Sequence, residues 1–328
     1  MNTLRTLFLF VLFFFSTNSH AQPNLIFDTD FGADADDLGA LAMLNHFKNR
    51  KECNLLAVMV WSTEKYAVPA IDAVNTFYGN PNIPIGVRKD ETHFQEWNYS
   101  KPIADAFEHD ETYDTAVEAT LLYRKILSES KDKSIVIVTV GPLKNIQNLI
   151  NSPADSLSPL SGKELIDLKV KEFVIMGGQF PEGEKEWNFD GNMIGVTKFV
   201  ISNINVPITF SGYELGVAIK TGEIFNTLDP HTPLYIGFMH FSRHAPWVKE
   251  NFKGKILNNS TYDQTAVLYA VRNGVGTIWD KVGGLCVPDD KGGNKWINSD
   301  NYKHSYLKLK IPIQDIEKML ESFMLNKF

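Results

Sequence analysis

The sequence predicts an α/β fold in which a mostly parallel central sheet is flanked by helices on both faces. Three observations predict it. Short, almost wholly apolar runs such as Leu55-Leu-Ala-Val-Met-Val-Trp61 and Ser134-Ile-Val-Ile-Val-Thr-Val140 read as strands buried on both sides. Segments between them repeat apolar residues at helical spacing. The two kinds alternate along the chain, as strand-helix-strand crossovers require. Of the 328 residues, 44% are hydrophobic and 22% are charged, enough to bury one full core. On this count one large α/β domain or two smaller ones are both possible; a single domain over residues 22–328 is the expectation taken forward.

Residues 1–21 read as a secretory signal: Arg5 in a short polar start, the apolar core Leu7 to Phe15, then Ser19-His-Ala21 with small residues for cleavage before Gln22. The apolar core is shorter than the roughly 20 residues that span a bilayer, so stable membrane insertion is not expected. The mature chain is expected to be exported, either periplasmic or secreted. Cys53 and Cys286 are the only cysteines, leaving either one internal disulfide or two buried thiols.

Leu25 to Phe27 is a short apolar run that ends in aspartates, as a buried parallel strand does at its carboxyl end. From Asp36, the positions Leu38, Leu41, Ala42, Leu44 and Phe47 recur at helical spacing. The strand Leu55 to Trp61 follows, then a helix over 68–78, with Pro69 in its first turn and Gly79 as its stop, then a strand at 83–87. Residues 88–110, with His93, Trp97, Tyr99 and His109, show no period and read as a long loop over a site. A helix over 115–128, the strand 134–140 and a helix begun by Gly141-Pro142 come next, then a Ser/Pro-rich connection over 151–165. Lys171 to Met176 is a strand, and Gly177-Gly178 turns the chain after it. Helices at 193–202, 232–250 and 263–272, the last capped by Thr261, a strand at 206–210, a hairpin and a closing helix at 313–325 complete the reading.

In a sheet of this kind, ligands bind beyond the carboxyl ends of the strands. Residues 28–37, 61–66, 140–145, 177–190 and 211–214 are thereby expected at one rim. The first carries five aspartates, at 28, 30, 34, 36 and 37. Carboxylates so crowded in a buried turn disfavour one another's ionisation unless a cation compensates, which points to a bound hard metal ion. The plainer alternative is a solvated loop whose acids suit a helix N-terminus. The spacing does not fit an EF-hand. The net charge of −7 and the lack of a Lys/Arg run argue against a nucleic-acid partner held mainly through phosphates. His240 and His244, one helical turn apart, lack the further ligands of a zinc site.

Taken together, these segments resemble the inosine-uridine-preferring nucleoside hydrolases over most of the mature chain. Asp28-Thr-Asp30, Gly32 and Asp36-Asp37-Leu-Gly-Ala-Leu are similar to the family's first aspartate motif, with two extra residues before the paired aspartates. Val140-Gly-Pro-Leu-Lys-Asn145 resembles its Gly-Pro-Leu-Thr-Asn turn, and Met176-Gly-Gly178 with Glu186-Trp-Asn188 its Met-Gly-Gly and Glu-Phe-Asn elements. Tyr262-Asp263-Gln-Thr-Ala266 resembles its His-Asp-x-x-Ala element, with tyrosine in place of histidine.

The resemblance implies a nucleoside hydrolase-like, Rossmann-like fold, one calcium ion and hydrolysis of an N-ribosidic bond. Asp30, Asp37 and Asp263 would ligate Ca²⁺ by side chain and Val140 by its carbonyl, with Asp28 supporting them from behind. Asp36, or Asp34 as its competitor, would take the proton of an activated water. Glu186 and Asn188 would bind ribose, with Trp61 and Ser62 where the family usually has Gly-Asn. Tyr262 is the candidate proton donor, poorer than histidine because its reference pKa is about 10 against about 6.5. The expected partner is a small-molecule nucleoside or riboside, as in purine or pyrimidine salvage, and homo-oligomers are expected as in relatives. Two rival readings are a calcium-containing riboside- or sugar-binding protein without turnover, and a haloacid dehalogenase-type phosphatase with Asp28 as nucleophile.

Overall fold

The structure is a computed structural model and describes residues 22–90, 95–300 and 303–327. The signal expected at 1–21 and His93 of the expected long loop lie outside the described residues. The strands are β1 (Asn24–Thr29), β2 (Asn54–Val60), β3 (Ile85–Val87), β4 (Val117–Glu118), β5 (Ile135–Thr139), β6 (Val170–Met176), β7 (Glu182–Gly183), β8 (Ile208–Ser211), β9 (Lys220–Thr221), β10 (Asn259–Ser260), β11 (Trp279–Pro288), β12 (Asn294–Ile297) and β13 (His304–Leu309). Eleven of them form one sheet in the order β4-β3-β2-β1-β5-β6-β8-β13-β11-β12-β7. Pairing is parallel from β4 through to β13 and antiparallel beyond it. β9 and β10 pair separately.

The period of two along each central strand sends successive side chains to opposite faces. Leu25, Phe27, Val136 and Val138 enter one core with the helices Asp36–Asn49, Ala67–Phe77, Asp263–Arg272 and Ile313–Met324. Ile26, Ile135 and Ile137 enter the other, with the helices Ala119–Glu129, Lys144–Asn151, Gly162–Lys169 and Val196–Asn203. Two cores explain why these strands are apolar throughout rather than alternating. The expected mostly parallel sheet, covered on both faces, is what the chain forms.

Several local readings change. Within residues 88–110 the chain forms a helix, Ser100–Ala106. It buries only Ser100, Ile103 and Ala104, too short a stripe to show a period. Ser161 ends the Ser/Pro-rich connection early by a capping box with Glu164, which starts the helix Gly162–Lys169. Thr261 does not cap the helix at Asp263; its hydroxyl meets that of Thr221 at 2.8 Å. The hairpin β11–β12 is accompanied by β13, which slots in beside β8. Cys53 and Cys286 are free and buried, so the disulfide alternative falls. Among the described residues no helix is long and apolar enough to cross a membrane.

Candidate active site

The carboxyl ends of β1, β2, β5, β6 and β8 open into one cavity of about 850 Å³, reached by Asp30, Trp61, Val140, Met176 and Tyr213. The rim expected from strand direction is thus assembled. At its floor, Asp36 and Asp37 occupy the first turn of the helix Asp36–Asn49, and Asp263 opens the helix Asp263–Arg272. These two helices pack against each other, and at Gly39 the Gln264 side-chain amide fills the space a Cβ would take, 2.4 Å from it. Two helix N-termini therefore meet, and both favour negative charge. Asp36, Asp37 and Asp263 offer carboxylate oxygens that all lie within 4.8 Å of one another, in full burial.

A second close approach fixes Asp30. A Cβ on Gly141 would lie 2.8 Å from the Asp30 backbone nitrogen, so only glycine lets the β5 turn come this near. Asp30 lines the cavity but stands outside the tight triad. Its carboxylate accepts the Trp187 indole N–H at 3.1 Å. Asp34 also lines the cavity and accepts from the Asn259 amide. Asp36 accepts the backbone N–H groups of Tyr262, at 3.2 Å, and Asp263, at 3.3 Å, while Asp37 accepts the Thr29 hydroxyl. Asp28 faces away from the cavity: Tyr123 donates to it at 2.7 Å and Asn145 at 3.2 Å. That leaves the phosphatase reading without an accessible nucleophile.

Burial is the first cause that lifts every one of these carboxyls. Asp28 is pushed up to about 7 and Asp30 to about 6. Asp36, Asp37 and Asp263 are raised well above the usual carboxylate range, next by repulsion from one another and from Asp30 or Asp34. Lys185 is the one basic side chain among the described lining residues, and it pairs with Asp190 at 3.1 Å. Such a set calls for either protons or a cation. The donors are oxygens only, which suits a hard divalent ion rather than a soft one.

The opposite wall is built by Glu186. Its carboxylate accepts from the backbone N–H of Gly178 (2.8 Å), Asn188 (3.0 Å) and Phe189 (3.1 Å), and so caps the short helix Trp187–Asp190. Burial lifts it to about 7. The Asn188 amide donates to the Val140 carbonyl at 2.9 Å, tying this wall to the β5 end; a carbonyl keeps a second lone pair for a ligand. Ser62 lines the cavity and accepts from the Glu64 N–H at 3.1 Å. Trp61 lies beside it with the Arg88 guanidinium over its ring at 4.8 Å. Tyr262 stacks on Tyr213, and burial raises its phenol above the ordinary value.

Every site residue singled out in the sequence except Asp28 lines this one cavity. Sequence reasoning gave no role to Gln95, Gln179, Lys185, Trp187, Tyr213 or Trp247, which line it too. None sits in a spacing that signals chemistry, though Tyr213 falls in a segment placed at the rim. His240 and His244 sit elsewhere, rings 4.4 Å apart, with His240 against the Glu96 carbonyl.

The sequence pattern described as "Inosine-uridine preferring nucleoside hydrolase" matches residues 25–298. No protein among the curated ones matches the chain. Among solved structures, the chain is similar to a purine-preferring ribonucleoside hydrolase from Gardnerella vaginalis, with a TM-score of 0.66 and 15% identity over 93% of this chain and 99% of that one. An inosine-uridine preferring nucleoside hydrolase from Bacillus anthracis gives 0.61 and 12%, over 92% and 99%. The type III effector protein XopQ, complexed with adenosine diphosphate ribose, gives 0.62 and 11%, over 94% of each chain. At these identities the likeness shows the shared fold.

Proposed function

We propose that this chain, which belongs to the inosine-uridine preferring nucleoside hydrolase family and is an N-ribosyl hydrolase, uses a calcium ion to release base and ribose from ribonucleosides or related ribosides. The observation that carries the reading is the buried triad Asp36, Asp37 and Asp263 at the meeting of two helix N-termini, opening into the cavity. Asp37, Asp263, Asp30 and the Val140 carbonyl would hold the ion. When bound, such an ion lowers the pKa of a water and so makes a nucleophile available at neutral pH.

Asp36 takes the proton of the attacking water. It lies within reach of both Asp37 and Asp263, and two backbone N–H groups hold its carboxylate in place. Asp34 is already engaged by Asn259. The water oxygen bonds to C1′ as the C1′–N bond breaks; the electron pair of that bond leaves with the base, which gains a proton from the Tyr262 phenol or from solvent. The sugar passes through an oxocarbenium-like state, as in glycoside hydrolysis generally. Glu186 and Asn188 hydrogen-bond the ribose hydroxyls, and their oxygen dipoles favour the positive charge that develops. An exchange of roles between Asp30 and Asp36 is the second reading, favoured because Asp30 stands outside the triad.

The sequence of residues 1–21 supports action outside the cytoplasm after cleavage before Gln22. The decisive experiment assays purified protein with calcium on purine, pyrimidine and nicotinamide ribosides. Base release, abolished by EDTA and restored by calcium, is expected; no release from any riboside overturns the reading.

A further inference from the structure

Beside the carboxylates, aromatic rings line the cavity, and those of Trp97, Tyr213 and Trp247 belong to none of the motifs. Trp97 and Trp247 meet edge to face at 5.2 Å, and Tyr213 and Tyr262 stack at 5.5 Å with 23° between their planes. Trp61 adds a further ring, whose one face is already held by the Arg88 guanidinium at 4.8 Å, and its buried indole N–H has no hydrogen-bond partner among the described residues. Around the same space stand six carboxyl groups, on Asp30, Asp34, Asp36, Asp37, Glu186 and Asp263, against the single ammonium of Lys185. With Lys185 paired to Asp190 at 3.1 Å, the described lining offers acids in excess of what one divalent ion would balance and no unpaired base. Aromatic faces attract cations, and an acidic, low-dielectric cleft concentrates them while repelling phosphate groups.

Resting on the hydrolase reading above, the geometry points to a riboside whose leaving group is a flat aromatic cation, an N-ribosylated pyridinium, in preference to neutral nucleosides and to 5′-phosphorylated ribosides. For such a substrate the C1′–N electron pair moves onto the ring nitrogen. The positive charge is cancelled and a neutral pyridine departs. Water supplies the oxygen that bonds to C1′, and its proton goes to the aspartate. No acid is needed at the leaving group, so a tyrosine at position 262 is no handicap.

A pyridinium is intrinsically a good leaving group, so the test rests on binding as well as turnover. Calcium-loaded full-length protein is titrated with 1-methylnicotinamide, a cation, and with nicotinamide, the same ring uncharged, following tryptophan fluorescence and competitive inhibition. The cation is expected to bind at least about tenfold more tightly, and nicotinamide riboside to show the lowest KM among ribosides. Trp247→Leu, at a ring about half exposed, is expected to keep the wild-type melting temperature within a few degrees, to raise the KM of nicotinamide riboside about tenfold and to raise that of uridine less than about threefold. Equal affinity for the charged and uncharged rings, or an equal effect of Trp247→Leu on both substrates, overturns the inference. If uridine or inosine is hydrolysed alongside that equality, the hydrolase reading stands. If no riboside releases its base, both fall.

Discussion

The Trp187 indole N–H donates to the Asp30 carboxylate at 3.1 Å where both line the cavity, although the two residues are 157 positions apart. Trp187 sits on the turn of helix that Glu186 caps, so one loop supplies both the buried Glu186 carboxylate and a donor to Asp30. Replacing Trp187 by Phe keeps the ring and deletes the donor. A hydrogen bond to a charged group contributes about 1.5–3 kcal/mol when buried, and this indole is about half exposed, so kcat/KM should fall about three- to tenfold. The bond holds the Asp30 pKa down. Its loss raises that pKa, so an acid limb governed by Asp30 moves to higher pH. An unchanged pH–rate profile and rate would show that the contact is idle.

Metal and proton-transfer roles separate by substitution. Asp37→Ala is expected to abolish calcium binding in calorimetry. Asp36→Asn should retain calcium and lose turnover by about 10²-fold or more. If Asp30→Asn shows that second behaviour instead, Asp30 and Asp36 exchange roles; if Asp34→Asn does, Asp34 is the base.

Removal of the ion should also be visible in stability. A ligand at about a thousand times its Kd stabilises the folded state by about 4 kcal/mol. Calcium should therefore raise the melting temperature by several degrees, and the gain should vanish in Asp263→Ala. A melting curve indifferent to both calcium and EDTA would count against the ion.

Gly141 is predicted to be intolerant. Its Cβ would meet the Asp30 backbone nitrogen at 2.8 Å and the Asp30 Cβ at 2.9 Å, and a backbone atom cannot rotate aside. Gly141→Ala should cost about 1–3 kcal/mol in denaturant unfolding and weaken calcium binding by displacing Asp30. A variant with full stability and affinity would show that the turn gives way freely.

His304 supplies a pH-dependent term remote from the site. It is buried, its Nδ1 accepts the Cys286 N–H at 3.1 Å, and burial lowers its pKa to about 4. A depressed histidine pKa means that the unfolded chain binds the proton first. Stability from this group is complete above the unfolded value near 6.5 and is lost as pH falls from there toward 4. Wild type should lose up to about 3 kcal/mol more than His304→Asn over that interval, measured by urea unfolding at each pH. Parallel losses in the two proteins would remove His304 as the source.

Much of this was open to a reader of the sequence. Strands such as Ile135–Thr139 are apolar at every position, because both faces of a central parallel strand are covered. The helix Asp263–Arg272 shows at its true limits because it presents a long buried stripe. Ser100–Ala106 did not show, since seven residues with a proline among them carry too few buried positions to mark a period. Tyr213 and Trp247 went without roles because nothing around them is spaced for chemistry.

The sequence by itself determined the alternation of strand and helix, and the crowding of aspartates where β1 gives way to a helix. It did so because burial on two faces and like-charge repulsion are local properties of residue type. Only the tertiary structure decided which carboxylates share one space. Asp36 and Asp37 meet Asp263, more than two hundred positions away, since their two helices pack against each other and so bring their N-termini together. That packing draws Asp36 into the triad, leaves Asp30 beside it under Trp187, and turns Asp28 toward Tyr123.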